Sequence, residues 1–396
     1  MMVILKTLYF LVTGYFIFCA LYILVYSVAG CFYKNPVFGK ANIYRKIGIL
    51  VPAYKTDEVI EELVDNVLQQ DYPNYELIVI ADSLNDNVLT RLSRKPIRLM
   101  PFHDENRTKA LALNTIMNQL PDDYDITLVL DADNLIVESD YLSRLNDYFE
   151  NGAQAVQTHR TAKNTNTVLA FLDAVSEEIN NHLFRRGHAA LGLSSALIGS
   201  AMAFDYRLFR EQMSDITVSG EDKELEMRLL KMKIPVAYVD NMMVLDEKIQ
   251  KADSFVNQRA RWIANQVMQA KNNVGEGLRQ LCCGNMDFFD KVLQHFLMPR
   301  LFLLVSVTVF AALAIIFLND AYLYMWLIIV TVTYLSILIS IPKRMYTFRL
   351  LKSVSYLPKA VLLMILSVFR MKGATKNFIA TDHAAVPLNV NSSIND

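Results

Sequence analysis

Ile126-Thr127-Leu128-Val129-Leu130-Asp131-Ala132-Asp133 passes, within one residue, from a short apolar run to a pair of carboxylates. Such a run, Ile126 to Leu130 here, is the mark of a strand buried in a sheet. In extended chain, residues two apart face the same way, so Asp131 and Asp133 can reach one ligand or one divalent cation. Mg²⁺ favours this setting, because it takes one or two carboxylates and completes its shell with substrate phosphates. A D-x-D triplet alone is common on solvated turns. Its weight depends on what the rest of the chain places beside it.

Ile47 to Val51 is a second buried run, read as a strand ended by Pro52, and Leu77 to Ile80 is a third, ending at Ala81-Asp82. Ala155-Val156-Gln157 is a fourth. Between them, Asp57 to Gln70 has helical spacing, with Val59, Leu63, Val67 and Leu68 on one face, and Lys109 to Leu120 also reads as helix. Strands alternating with helices define an α/β domain over residues 46–250, with a mainly parallel sheet and helices on both faces. Ligands of such sheets sit beyond the carboxyl ends of the strands. Asp82 and Asp131, at two of those ends, are therefore expected in one crevice.

The flanks have another character. Of the 396 residues, 53% are hydrophobic and 20% charged, which excludes a disordered chain. The net charge is −1, so no basic excess points to nucleic acid. Cys19, Cys31, Cys282 and Cys283 show neither a disulfide framework nor a metal spacing. Thr7 to Ala29 carries no charge and is about as long as a bilayer span. Val28-Ala29-Gly30-Cys31 resembles a lipoprotein cleavage box, but the apolar run exceeds a signal core, and residues 1–33 read as an uncleaved anchor. Leu301 to Leu318 and Ala321 to Ile341, joined at Asn319-Asp320, read as a transmembrane hairpin over 300–341. Lys34, Lys40, Arg45 and Lys46 follow the first span, and Lys343, Arg344, Arg349 and Lys352 follow the third. The positive-inside rule then puts the middle domain and the tail in the cytoplasm, at the inner membrane. Ala360 to Phe369 is apolar but short, with positive charge on both sides, so residues 342–377 are expected to lie in the interface.

Two more clusters carry chemistry. Ser219-Gly220-Glu221-Asp222 opens a helical run to Lys231. Ser219 can cap that helix, with the acids favoured by its dipole, or a carboxylate there can act as a general base. Gln258-Arg259-Ala260-Arg261-Trp262 lies on a helical pattern from Ser254 to Ala270, within residues 251–299. Gln258, Arg261 and Trp262 share a face, suited to phosphate and to stacking on a sugar. Arg and Trp also anchor helices at membranes, though that leaves Gln258 unexplained. The six histidines have no paired-ligand spacing; His159 after a strand and His383 near the tail are the two with a case for touching substrate.

In chain order, Asp82, Asp131-Ala132-Asp133, Glu221-Asp222 and Gln258-Arg259-Ala260-Arg261-Trp262 resemble the D, DxD, ED, QxxRW signature of membrane-bound family-2 glycosyltransferases. That branch includes the cellulose, chitin, hyaluronan and poly-N-acetylglucosamine synthases. Val51-Pro52-Ala53-Tyr54, Lys109 to Asn114, Gly199 to Phe204 and Phe378-Ile379-Ala380-Thr381 are similar to further family segments, so the resemblance spans about residues 46–383. It implies a GT-A fold, a nucleotide-sugar donor of the UDP-linked type, and Mg²⁺ or Mn²⁺. By position, Tyr54, Asp82, Lys109, Asp131, Gln258 and Arg261 would bind the donor and Asp133 the metal. Asp222 would be the catalytic base, Glu221 and Trp262 would meet the acceptor, and Phe378 and Thr381, in the 378–396 tail, would gate the site. Lys55, Ser83, Thr108 and His383 depart from the residues common in the family.

The implied reaction is inverting transfer onto a growing polysaccharide at the membrane face. Single-sugar transfer to a lipid-linked acceptor shares the signature. A non-enzymatic transporter or scaffold subunit is the contrasting class, disfavoured by the few spans and by their lack of charge. The sequence names neither the sugar, nor an export partner, nor a homo-oligomer.

Overall fold

The computed structural model describes residues 2–104, 108–217, 219–317 and 320–371; Phe378, Thr381 and His383 lie outside them. Eight strands build one sheet: β1 Ile47–Tyr54, β2 Tyr75–Asp82, β3 Arg98–Pro101, β4 Ile126–Val129, β5 Leu135–Ile136, β6 Ala155–Ala162, β7 Met202–Asp205 and β8 Ala237–Asp246. Their order is β3-β2-β1-β4-β7-β6-β8-β5. β3, β2, β1 and β4 run parallel, as do β6 and β8, while β7 is antiparallel to both its neighbours and β5 to β8. The mainly parallel α/β architecture read from the sequence is therefore present.

Alternation along the strands sorts side chains to two covered faces. Ile47, Ile49 and Val51 pack with residues of helices Ile60–Val67 and Tyr141–Glu150. Leu50, Ile78 and Ile80 pack on the other face with helices Lys109–Met117, Tyr206–Met213 and Glu221–Lys231.

β1 does not end at Pro52. Its ladder to β2 continues to Tyr54↔Asp82, whereas its ladder to β4 stops at Leu50↔Val129. Beyond Leu50 one side of β1 is a local edge, where proline, lacking an N–H, removes no ladder bond. The expected helix over 57–70 is shorter, Ile60–Val67. The chain after it turns so that the Gln70 side chain ties the Glu138 carbonyl and the Leu142 N–H. The helix expected over 254–270 is longer, Ala252–Cys282.

Three helices are long and apolar enough to cross a membrane: Lys6–Gly30, Arg300–Phe317 and Ala321–Ile339. They pack together through Phe16, Ile23, Val307, Ala314 and Trp326. The Ser27 hydroxyl donates to the Ser336 carbonyl at 2.8 Å. Helix Val168–Asn181 continues into a π-helical turn, His182–Gly187, that docks on the first of them. A Cβ at Gly187 would lie 2.4 Å from the Tyr26 carbonyl oxygen, so only glycine permits this approach. The last apolar stretch forms two helices, Phe348–Val354 and Leu357–Phe369, bent by 57° at their junction.

Candidate active site

β1 and β4 separate where their ladder ends, and the site opens there. Tyr54 and Asp82 are the last residues of β1 and β2 and pair in register. The next residues, Lys55 and Ser83, take φ of 52° and 56°. Asn and Gly adopt this left-handed conformation far more readily than Lys or Ser, so two of the departures from the family pattern fall on strained turns. Lys55 N–H donates to the Asp82 carbonyl at 3.1 Å, and Ser83 Oγ donates to Asp82 Oδ1 at 2.8 Å.

Thr108 caps helix Lys109–Met117, accepting the Leu111 N–H at 3.1 Å and donating to the Thr217 carbonyl at 2.7 Å. A threonine at this departure from the family pattern thus serves as an N-cap. The cap sends Lys109 across the crevice to the Asp131 carboxylate and, at 2.7 Å, to the Gly199 carbonyl. Burial opposes the Lys109 charge, but Asp131 and then Glu221 outweigh it and raise the ammonium pKa. Burial likewise works against ionised Asp131, yet Lys109, with Arg160, holds its carboxyl below the ordinary value.

Asp131, Asp133 and Asp246 bring carboxylate oxygens within 4.8 Å of one another. Asn134 clips them together. Its Oδ1 accepts the Asp131 N–H at 3.0 Å, and its Nδ2 donates to Asp133 at 3.3 Å and Asp246 at 3.1 Å. Arg160 lies 3.5 Å from Asp246 and 4.0 Å from Asp131, and the Lys248 ammonium is 2.6 Å from Asp246. An all-oxygen set of three clustered carboxylates suits a hard divalent cation, so the residues fit Mg²⁺ or Mn²⁺. The sequence reading missed Asp246. Its signal was its place at the end of β8, the same position that singled out Asp82.

Helix Glu221–Lys231 begins at Gly220, which has φ of 96° and no side-chain cap, so Ser219 is not the N-cap expected. Serine does not readily take that φ, and the acids of the first turn face the dipole directly. Glu221 is buried, and burial, with Asp222 and Asp131 nearby, raises its pKa. Asp222 has the Lys223 ammonium 3.9 Å away, and Lys223 is held by the Leu197 carbonyl at 2.5 Å and Glu226 at 3.0 Å.

Helix Ala252–Cys282 supplies the other wall. Gln258 lines the cavity, and its Oε1 is buried without a hydrogen-bond partner. Burial lowers the Arg261 pKa, and Glu221 opposes that shift. Trp262 is 41% exposed, with the Arg259 guanidinium 4.2 Å over its ring. Arg259 is no membrane anchor, because it forms a buried ion pair with Asp173.

Tyr54, Asp82, Lys109, Asp131, Asp133, Glu221, Asp222, Gln258, Arg261 and Trp262 all line one cavity of about 1100 Å³. His159 does not line it. It is buried between Asp240 and Glu178, at 3.0 and 3.1 Å, and has a structural role.

The sequence model of a family described as "Glycosyltransferase like family 2" matches residues 45–265. Among relatives, a glycosyltransferase GlyA of Streptococcus pneumoniae is 26% identical over 210 residues, which are 50% of this chain and 30% of that protein. A poly-beta-1,6-N-acetyl-D-glucosamine synthase of Staphylococcus epidermidis is 25% identical over 196 residues, 47% of each chain. The chain thus spans under half the length of these relatives. Among solved structures, the mannosyltransferase PcManGT of Pyrobaculum calidifontis, in complex with GDP-Man and Mn2+, aligns over 80% of this chain and 94% of its own. Its identity is 16% and its TM-score 0.48.

Proposed function

The chain belongs to the glycosyltransferase-like family 2, and we propose that it moves a sugar from a UDP-linked donor onto a saccharide acceptor at the cytoplasmic face of the inner membrane, with inversion at the anomeric carbon. One observation carries this reading. Residues scattered from Tyr54 to Trp262, picked for donor, metal, base and acceptor, line a single cavity.

Tyr54 and Asp82, at adjacent strand ends, would take the nucleoside. Asp131, Asp133 and Asp246 would hold Mg²⁺ or Mn²⁺, which when bound supplies charge neutralisation of the departing diphosphate. Arg261 and Gln258 would bind the diphosphate from the opposite wall, where a buried cation interacts strongly with developing charge. Trp262 would support the acceptor ring. Asp222 would take the proton as the acceptor oxygen bonds to the anomeric carbon. The bond to the diphosphate breaks, and its electron pair leaves on the phosphate oxygen. Asp222 and Glu221 both line the cavity, and the family signature assigns the base to Asp222. One base and no carboxylate nucleophile give a β-product from an α-donor.

Elongation of a polysaccharide is the main reading, with relatives that include a polysaccharide synthase. Single transfer to a lipid-linked acceptor is favoured by a separate observation. The cavity that includes Trp262 is also lined by apolar residues of the membrane-type helices, such as Leu304, Ile337 and Leu338.

The test is nucleotide release by the full chain in nanodiscs, with a panel of UDP-, GDP- and dTDP-sugars and Mg²⁺ or Mn²⁺. Release with one donor, lost in Asp222→Asn while nucleotide binding stays, is the expected result. A product of retained configuration, or full activity in Asp222→Asn, would overturn the mechanism. Product sizing separates elongation from single transfer.

A further inference from the structure

Five arginines line the cavity, Arg160, Arg185, Arg259, Arg261 and Arg300, and Arg261 is the one assigned above to the donor diphosphate. Two are neutralised, Arg160 by Glu177 at 2.7 Å and Arg259 by Asp173. Among the described residues, Arg185 and Arg300 have no carboxylate within 4.0 Å. Arg185 is 3% exposed and donates only to neutral acceptors, the Ala196 carbonyl at 3.1 Å and Asn181 Oδ1 at 2.8 Å. Arg300 donates to Asn180 Oδ1 at 2.6 Å and to the Ser176 carbonyl and hydroxyl at 2.9 and 2.8 Å. A guanidinium has five donor N–H groups, so both retain donors beyond these bonds.

Burying an unpaired cation is costly, and Arg300 is opposed first by its burial and then by the like charges of Arg259 and Arg185. Burial already lowers the pKa of Arg185. Such an arrangement persists where an anion completes it. Arg185 stands on the π-helical turn His182–Gly187, a distortion that recurs at functional sites. Arg300 opens the apolar helix Arg300–Phe317, whose Leu304, one turn on, also lines the cavity. The helices from Arg300 onward add Leu304, Ile337, Leu350 and Met364 to the lining.

We propose that Arg185 and Arg300 form a phosphate subsite on the membrane side of the cavity, occupied by the phosphate of a lipid-linked acceptor whose hydrocarbon chain follows the apolar lining. The inference rests on the transferase reading and specifies its acceptor. The geometry accounts for both halves of that ligand, because a charged head needs the two guanidinium forks and a hydrophobic chain needs the wall behind them. No bond to the phosphate is made or broken in this subsite. It holds the acceptor while the hydroxyl at the far end meets Asp222.

The experiment measures binding to the full chain in nanodiscs. A long-chain polyprenyl phosphate is compared with the same polyprenol lacking phosphate, with inorganic pyrophosphate and with UDP. The native chain is set beside Arg300→Gln, and Arg185→Gln serves as a second variant, with thermal unfolding to confirm that each folds. The native chain should prefer the polyprenyl phosphate over the alcohol by about tenfold or more, the worth of one charge-assisted hydrogen bond. Arg300→Gln should erase that preference and leave UDP affinity within about twofold. Equal affinity of the native chain for phosphate and alcohol would overturn the proposal. So would a variant that loses UDP instead, since the arginines would then serve the donor diphosphate. Pyrophosphate binding as tight as the polyprenyl phosphate would make this a free-anion site and overturn the lipid assignment. The transferase reading fails by a different sign: no UDP binding and no nucleotide release from any donor.

Discussion

Replacing Gly220 by alanine tests whether the geometry at the start of helix Glu221–Lys231 sets the base. Gly220 has φ of 96°, and an added Cβ would lie 2.5 Å from Asn265 Nδ2 and 2.8 Å from its Cγ. Left-handed backbone costs an alanine about 1–2 kcal/mol. The contact is a second term, because 2.5 Å must open to about 3.5 Å, a displacement of roughly 1 Å. Asn265 lies one helical turn beyond Arg261, so that shift moves Asp222 away from the wall that holds the diphosphate. A misplacement of about 1 Å in a reacting array costs on the order of a hundredfold in rate. Gly220→Ala should therefore lose about 1–2 kcal/mol of stability and about a hundredfold in kcat. Gly220→Ala/Asn265→Ala removes the contact but not the strain, and should regain most of the rate while staying destabilised. Steady-state nucleotide release and thermal unfolding, with Asn265→Ala as control, read the two terms apart. A single variant with kcat within about threefold of native, or a double variant as slow as the single, would refute the positional argument.

Asp246→Asn should raise the Mn²⁺ or Mg²⁺ concentration for half-maximal activity by about tenfold or more, while nucleotide binding without metal changes little; an unchanged metal dependence would remove Asp246 from the cation site. His159 gives a pH dependence of stability. Burial opposes its charge, but Glu178 and Asp240 raise its pKa from 6.5 to about 9. The folded value lies above the unfolded one, so this contribution is full below about pH 6.5 and is lost as pH rises through about 9. It is on the order of 3 kcal/mol, and thermal unfolding of His159→Gln should show a flatter fall across that window. Lys55→Gly, relieving φ of 52°, should raise stability by about 1 kcal/mol; a lower melting temperature would show that the Lys55 side chain contributes more than its backbone costs.

Asp82 and Asp131 were legible because each follows an apolar strand run, and Asp133 because it stands two residues beyond Asp131. Asp246 stands in the same position on β8, but there the run is broken by Asp240 and Asn241. A register shift between Thr158 and His159 moves the partner of β6 on β8 from Val239 to Met243, so no simple period marks the strand. Asp240 is explained only in three dimensions, by the His159 and Arg186 it binds. Pro52 misled for a related reason. It is a strand breaker only where both neighbours continue, and here β4 stops first, at Val129. That early stop is also what opens the crevice above Asp131. The proline that obscured the strand end and the aspartates that announced the site thus have one structural cause, the divergence of β1 from β4. Arg185 and Arg300 were hidden more deeply, because an arginine shows its meaning only through the absence of a carboxylate beside it.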